Sequence, residues 1–165
     1  MDSPCTTLPI YSRIVPIILA FSLCLVATRV SAQQAKPNLT GTWKLNLNKS
    51  KLAPRHGPGG DSYIIKHSEP RLEIDHMFSG RSEIYSYVTD GKERVASRSQ
   101  QDGETRAKTY WDGDTLVIEK HQAGSFWVSR YTLSQDAKSL TVTHAVDKSS
   151  FGNAFDESLT YEKQR

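Results

Sequence analysis

The stretch "NLTGTWKLNLNKSK", residues 38–51, sets the reading of the chain. Trp43, Leu45 and Leu47 fall on one face of an extended segment, and Thr42, Lys44 and Asn46 fall on the other. That alternation is the period of a strand with one buried and one solvated face. Gly41, two residues before the tryptophan, is explained by a turn unless the rest of the chain gives it more to do.

From Gly41 onward no segment carries a helical period. Short β-prone runs recur instead, at 41–47, 62–67, 71–78, 82–89, 93–99, 105–111, 115–121, 125–133, 139–146 and 155–162. Turn residues separate them at nearly regular spacing, which marks an all-β sandwich or barrel. "TDGK" at 89–92, "QDGE" at 101–104 and "WDGD" at 111–114 each carry Asp-Gly, which suits a two-residue hairpin with positive φ at both central positions. "SQDAK" at 134–138 reads as a further hairpin with alanine where glycine would sit. Short hairpins join antiparallel neighbours, so the sheet is expected to be an up-and-down meander. An open sheet would leave two long unpaired edges, and closure removes them. The expected fold is therefore an antiparallel up-and-down β-barrel of 8–10 strands. A Greek-key sandwich needs several long connections, and only 49–61 and 147–154 qualify.

Residues 1–32 are set apart by composition. The apolar run "IVPIILAFSLCLVA" at 14–27 follows Arg13, and "VSA" at 30–32 places small residues where a signal peptidase reads. This is the pattern of a secretory signal peptide, too short for a spanning helix and interrupted by Pro16. The expectation is a removed segment 1–32 and a single domain 33–165, exported to the periplasm or the extracellular space, with no stable membrane span. A domain of this size buries about two thirds of its unfolded surface. Both cysteines, Cys5 and Cys24, precede Gln33, so the remainder has no disulfide and no thiolate chemistry. Of 21 Lys and Arg and 18 Asp and Glu, only Arg13, Arg29 and Asp2 fall in the leader, leaving a small unclustered positive balance. Such a balance argues against nucleic acid as partner.

"GTWKL" at 41–45, at the start of the first strand of a meander, resembles the Gly-x-Trp signature of the calycins, which include the lipocalins and fatty-acid-binding proteins. In those families the tryptophan plugs the closed end of the barrel, and the resemblance implies that role for Trp43, with Gly41 as part of the plug. "YWDGDTLVIEK" at 110–120 is similar to the central hairpins of fatty-acid-binding proteins. "LTGTWKLNLNKSK", "TDGK", "WDGDTLVIE" and "YTLSQDAKSLTV" resemble recurring segments of small exported bacterial proteins described as lipocalin-like. The chain departs from fatty-acid-binding proteins in two places. The 49–61 segment is too short and too rich in Pro and Gly for their two lid helices. Their last strand carries an Arg-x-Tyr pair for a ligand carboxylate, whereas "LTYEK" matches Tyr161 and has Leu159 in place of the arginine.

Strand parity proposes a lumen. Leu72, Ile74, His76 and Phe78 share a face, as do Ala107, Thr109 and Trp111, continued by Leu116 and Ile118. Leu140, Val142, His144 and Val146 form another row, and Phe155, Leu159 and Tyr161 the last. On 125–133 the row Trp127, Ser129, Tyr131 and Leu133 is favoured as inward, which leaves Arg130 outward; the opposite parity would let Arg130 and Tyr161 hold an anionic headgroup. The candidate ligand-binding residues are thus His76, Trp111, Trp127, Tyr131, His144, Tyr161 and, on the second parity, Arg130. Aromatic bodies with polar tips suit a mostly apolar pocket, and they equally suit a plain core. His76 and His144 on apolar faces read first as satisfied core histidines.

No His-Glu-x-x-His pattern and no cysteine cluster supports a metal, and no cofactor is implied. No Gly-x-Ser-x-Gly elbow supports a serine nucleophile. "HGPGGD" at 56–61 lacks the Lys-Ser/Thr end and following helix of a phosphate loop and reads as a rim loop. The function expected is a non-enzymatic, monomeric binding protein holding a small hydrophobic or amphipathic molecule in the lumen. The alternative is a filled barrel acting as an envelope interaction module through 49–61 and 147–154. An enzyme built on His76 or His144 would require one of them beside a carboxylate in a pocket.

Overall fold

A computed structural model of the chain describes residues 35–53, 61–100, 103–122, 124–146 and 155–165. The leader 1–32 with Cys5 and Cys24, the stretch 54–60, the Asp of "QDGE" and the connection 147–154 lie outside the described residues. Ala35–Arg165 forms one compact unit. Among the described residues ten strands follow one another: β1 (Gly41–Leu45), β2 (Ser62–Ser68), β3 (Arg71–Phe78), β4 (Arg81–Val88), β5 (Glu93–Ser99), β6 (Gly103–Asp112), β7 (Thr115–Gln122), β8 (Ser125–Leu133), β9 (Ser139–Val146) and β10 (Phe155–Lys163). All are antiparallel in one sheet, ordered β4-β3-β2-β1-β10-β9-β8-β7-β6-β5. β1 pairs with both β2 and β10, so the chain's first and last strands lie side by side.

The sheet curls until β4 lies beside β5 and β6, but no ladder joins β4 to β5. The result is an antiparallel up-and-down β-barrel that is nearly closed. Here the Asp-Gly reading of "TDGK" is corrected. Asp90 and Gly91 do not turn a tight hairpin; Gly91 N–H donates instead to Thr109 O at 2.9 Å and Thr89 N–H to Pro70 O at 2.9 Å, which splays the two strands. "WDGD" also turns differently. Asp112 pairs with Thr115, so Gly113 and Asp114 are the central residues and only Gly113 has positive φ, at 59°. A glycine at the first central position suits the type II′ turn. The turn with positive φ at both central residues is Ser79-Gly80, at 50° and 77°. Ala137 does adopt the left-handed conformation expected of a glycine there, with φ 55°.

The opening strand is shorter than its alternation suggests. After Leu45 the chain enters a 3-10 turn, Leu47–Lys49, capped by the Asn46 side chain, which accepts from Asn48 N–H. This breaks the period of two and leaves Leu47 exposed, against the expectation that it points inward. Beyond the turn Lys51 exchanges backbone bonds with Ser158, extending cover along β10.

One core packs inside the barrel: Ile65, Leu72, Ile74, Leu116, Ile118, Leu140, Val142 and Leu159 are all at most 2% exposed. One end is sealed around Trp43, which is fully buried. Its indole Nε1–H donates to Leu39 O at 3.0 Å, and Lys163 Nζ lies 5.3 Å from the ring centroid on its outer side. Leu39, also fully buried, donates its N–H to His67 Nδ1 at 3.3 Å. His67 is thereby the Nε2–H tautomer, and that nitrogen donates to Glu69 at 3.0 Å. The Gly41 question resolves in this plug. Its φ is 155°, and a Cβ placed there would sit 2.7 Å from Lys163 Cε, the side chain that covers Trp43. Gly41 is needed for its backbone angle; the flexible end of the exposed Lys163 can move aside for a Cβ.

Candidate ligand-binding site

The opposite end of the barrel encloses a cavity of about 220 Å³. It is reached by the last residues of β3, β7 and β9 and the first of β2, β8 and β10, which antiparallel pairing brings to one end. Its wall is mainly aromatic: Tyr63, Tyr85, Tyr87, Trp127 and Tyr131, with Ile74 and Val146. Tyr63 stands at its centre, 4.5 Å from the His76 ring, 4.7 Å from Tyr161 and 6.1 Å from Tyr131 in an edge-on contact. Burial drives the phenol pKa of Tyr63, Tyr87, Tyr131 and Tyr161 upward, with the charge on Asp61 adding to the effect for all but Tyr87. These hydroxyls stay neutral and serve as donors across the physiological range.

Four of the residues singled out from sequence line this cavity together: His76, Trp127, Tyr131 and His144. Tyr161 lies behind the wall, fully buried, with its hydroxyl donating to Asp61 Oδ2 at 3.0 Å. Two candidates are corrected. Trp111 belongs to the sealed end, half-buried, with its Nε1–H donating to Glu69 and its ring 5.9 Å from His67. Its place at the end of β6 takes it away from the cavity. Arg130 is exposed in an outer groove with Lys51, Val128 and Asp156, because the row Trp127, Ser129, Tyr131 takes the inside of β8.

The polar groups of the cavity come in pairs. Asp61, just before β2, is 1% exposed; its Oδ1 meets His76 Nε2 at 2.7 Å while Oδ2 takes the Tyr161 hydroxyl. On the facing wall Ser129, His144 and Glu157 are neighbours in register across β8, β9 and β10. Ser129 Oγ lies 2.8 Å from His144 Nδ1, and Glu157 accepts the Ala53 N–H at 3.4 Å. Ser129 is fully buried and outside the cavity lining, so this row orients His144 rather than presenting a hydroxyl. Lys120 stands apart. Its ammonium rests on two rings, 4.7 Å from the Tyr85 centroid and 5.2 Å from Trp127. Burial lowers its pKa to about 8, only partly opposed by Glu83.

Asp61, Tyr63, Tyr85, Tyr87, Lys120 and Glu157 were not picked out from sequence. Lys120 continues the inward row of Leu116 and Ile118, and Glu157 that of Leu159 and Tyr161, so parity carried the signal for both. Asp61 extends the row of Tyr63, Ile65 and His67 back by two residues. Among the described residues no group of three His, Cys, Asp or Glu side chains converges as a metal ion would need. No described helix is long and apolar enough to cross a membrane.

No family model and no curated sequence matches the chain. Solved structures do. Fatty-acid-binding protein 1 of Echinococcus granulosus superposes with a TM-score of 0.58 at 13% identity, over 76% of this chain and 97% of that one. An SAHS protein from Ramazzottius varieornatus gives 0.60 at 14%, over 78% and 98%. A Schistosoma mansoni fatty-acid-binding protein solved with arachidonic acid gives 0.58 at 9%, over 77% and 96%. The fold is therefore the calycin-type barrel, as the Gly-x-Trp opening implied. At these identities the likeness is one of fold, and function has to be argued from the cavity.

Proposed function

We propose that the chain is an exported, non-enzymatic binding protein that holds one small, largely apolar or amphipathic molecule in the cavity between Tyr63, Trp127 and Tyr131. The observation that carries this reading is the aromatic cavity at one end of a barrel whose other end is sealed by Trp43. An interior filled by its own side chains, as the rim-loop alternative requires, would leave no such space. Fatty-acid-binding proteins share the barrel, which supports a lumenal ligand without naming it. At about 220 Å³ the cavity is below the ~300–1,000 Å³ of drug-sized sites. The ligand it suits is a single or fused ring system rather than a long acyl chain. Aromatic faces supply apolar burial at about 25 cal/mol per Å², and Tyr131, His76 and His144 orient a polar edge. The leader 1–32 supports export of 33–165 to the periplasm or beyond.

The test is native against denaturing mass spectrometry of the protein purified gently from an exporting host, with tryptophan emission read across a panel of aromatic and lipid ligands. Trp127 is the one tryptophan lining the cavity, so a ligand-induced shift lost in Trp127→Leu is expected. A clean ligand-free mass with no shift across the panel would overturn the reading.

One observation favours a second reading. His76 beside buried Asp61, at the edge of a pocket, meets the condition for a proton-transferring base. An activity abolished by His76→Gln, with ligand affinity retained, would decide for it.

A further inference from the structure

Among the described lysines Lys120 alone is not exposed. Lys49, Lys66 and Lys108 are paired with Glu162, Glu73 and Glu119. Lys120 makes no hydrogen bond or ion pair among the described residues; its contacts are the faces of Tyr85 and Trp127. It projects inward from β7 between Ala107 on β6 and Trp127 on β8, into the cavity wall. The titratable groups around the same cavity are His76 on β3, His144 on β9 and Glu157 on β10, with Glu83 at the margin on β4, where it accepts the Tyr85 hydroxyl. None is within ion-pair distance of the amine.

An amine without a carboxylate, desolvated against π faces, is a poor cation and a good nucleophile. We propose that Lys120 is a reversible covalent anchor: its ε-amino group forms an imine with the carbonyl carbon of a planar aromatic or conjugated aldehyde bound between Trp127 and the tyrosines. The inference rests on the cavity reading above and names its ligand class. The Nζ lone pair attacks the carbonyl carbon, a C–N bond forms, and the C=O π pair moves to oxygen. That oxygen takes up one N–H proton to give the carbinolamine. It then departs as water with the second proton as the C=N bond forms. No electrons are gained or lost overall, and water reverses the step. With a pKa of about 8 roughly a tenth of the amine is unprotonated at pH 7, against roughly 0.0003 for an ordinary lysine. The flat walls suit a conjugated carbonyl, and the neutral imine relieves the desolvated charge.

The experiment incubates the purified protein with 2-naphthaldehyde and cyanoborohydride at pH 7 and maps the reduced adduct by peptide mass spectrometry. The expected result is an adduct at Lys120 at least tenfold above that at any exposed lysine. Excess 2-naphthylmethanol, which has the same ring and no carbonyl, should protect it. The adduct should vanish in Lys120→Met and Lys120→Arg, whose circular dichroism reports folding; the wild-type map stands without either variant. Label spread over exposed lysines with no preference for Lys120 overturns the proposal. Calorimetry with 2-naphthylmethanol separates the two levels. If the alcohol binds and Lys120 is not labelled, the covalent anchor fails and the cavity reading stands. If neither occurs, both fall.

Discussion

Lys120→Met should make the protein more stable at pH 7 and leave stability unchanged near pH 11. In the folded chain the Lys120 pKa falls from 10.5 to about 8 through burial. Each pKa unit corresponds to about 1.4 kcal/mol, so holding the charge in the folded state costs about 3 kcal/mol at pH 7. Methionine fills similar space, carries no charge, and keeps sulfur–aromatic contact. The net gain expected at pH 7 is about 3 kcal/mol. The folded pKa is depressed, so the cost is complete below about 8, shrinks as pH rises from 8 to 10.5, and is gone above 10.5. Urea unfolding of wild type and variant at pH 7, 9 and 11 reads this directly as a difference that closes with pH. A variant equally destabilised at all three values would refute the reasoning, because it would mean that Lys120 acts by packing and its charge is not desolvated.

Three further substitutions probe the plug, the buried acid and an orphan hydroxyl. Gly41→Ala should cost about 1–3 kcal/mol in thermal unfolding through its positive φ; because the flexible end of Lys163 can move aside, a Lys163→Ala background should leave that cost nearly unchanged. Asp61→Ala strands both the Tyr161 hydroxyl and His76 and should cost about 3–5 kcal/mol. Adding Tyr161→Phe to it should cost clearly less than Tyr161→Phe alone, since the two share one bond; additive losses in a double-mutant cycle would contradict that bond. Thr105 Oγ1 is buried without a partner among the described residues. Thr105→Val should therefore raise the unfolding free energy measured in urea by about 1 kcal/mol, and a drop would show that the hydroxyl is bonded in solution.

Most of the barrel was legible because alternation and turn chemistry act locally. β3, β5, β8 and β9 run over the expected residues, and the others differ by no more than two at either end. What failed depended on one local cap and otherwise on neighbours far away in sequence. Leu47 alternates like a buried residue, yet Asn46 capping its own turn removes it from the strand. Asp-Gly at 90–91 looks like a hairpin, yet Thr89 bonds to Pro70 in the β2–β3 turn and Gly91 to Thr109 on β6. Trp111 has the right parity for the lumen, but parity fixes a face and does not say which end of the barrel the residue occupies. Lys120, Glu157 and Asp61 have the right parity as well, but charges are seldom inside, so residue type masks what their spacing implies. The sequence carries no mark of the partners that make such burial tolerable.

The two ends of the barrel treat buried polarity in different ways. At the sealed end a chain from Trp43 through Leu39 and His67 to Glu69 gives every named donor an acceptor, and against a partial loss of solvent, hydrogen bonds from Thr89, Trp111 and His67 hold the exposed Glu69 carboxyl below its usual range. Such an arrangement closes a barrel and has no further need of a ligand. At the cavity end Asp61 satisfies His76 and Tyr161, and Ser129 satisfies one nitrogen of His144, so these too are settled within the fold. Lys120 is the exception, a desolvated amine with rings on two sides and, among the described residues, no hydrogen bond or ion pair. Chains under selection for stability alone replace such a residue, because methionine or leucine fits the same wall at lower free energy. A local violation of that kind belongs with function, and this one sits in the wall of the cavity where a ligand would lie.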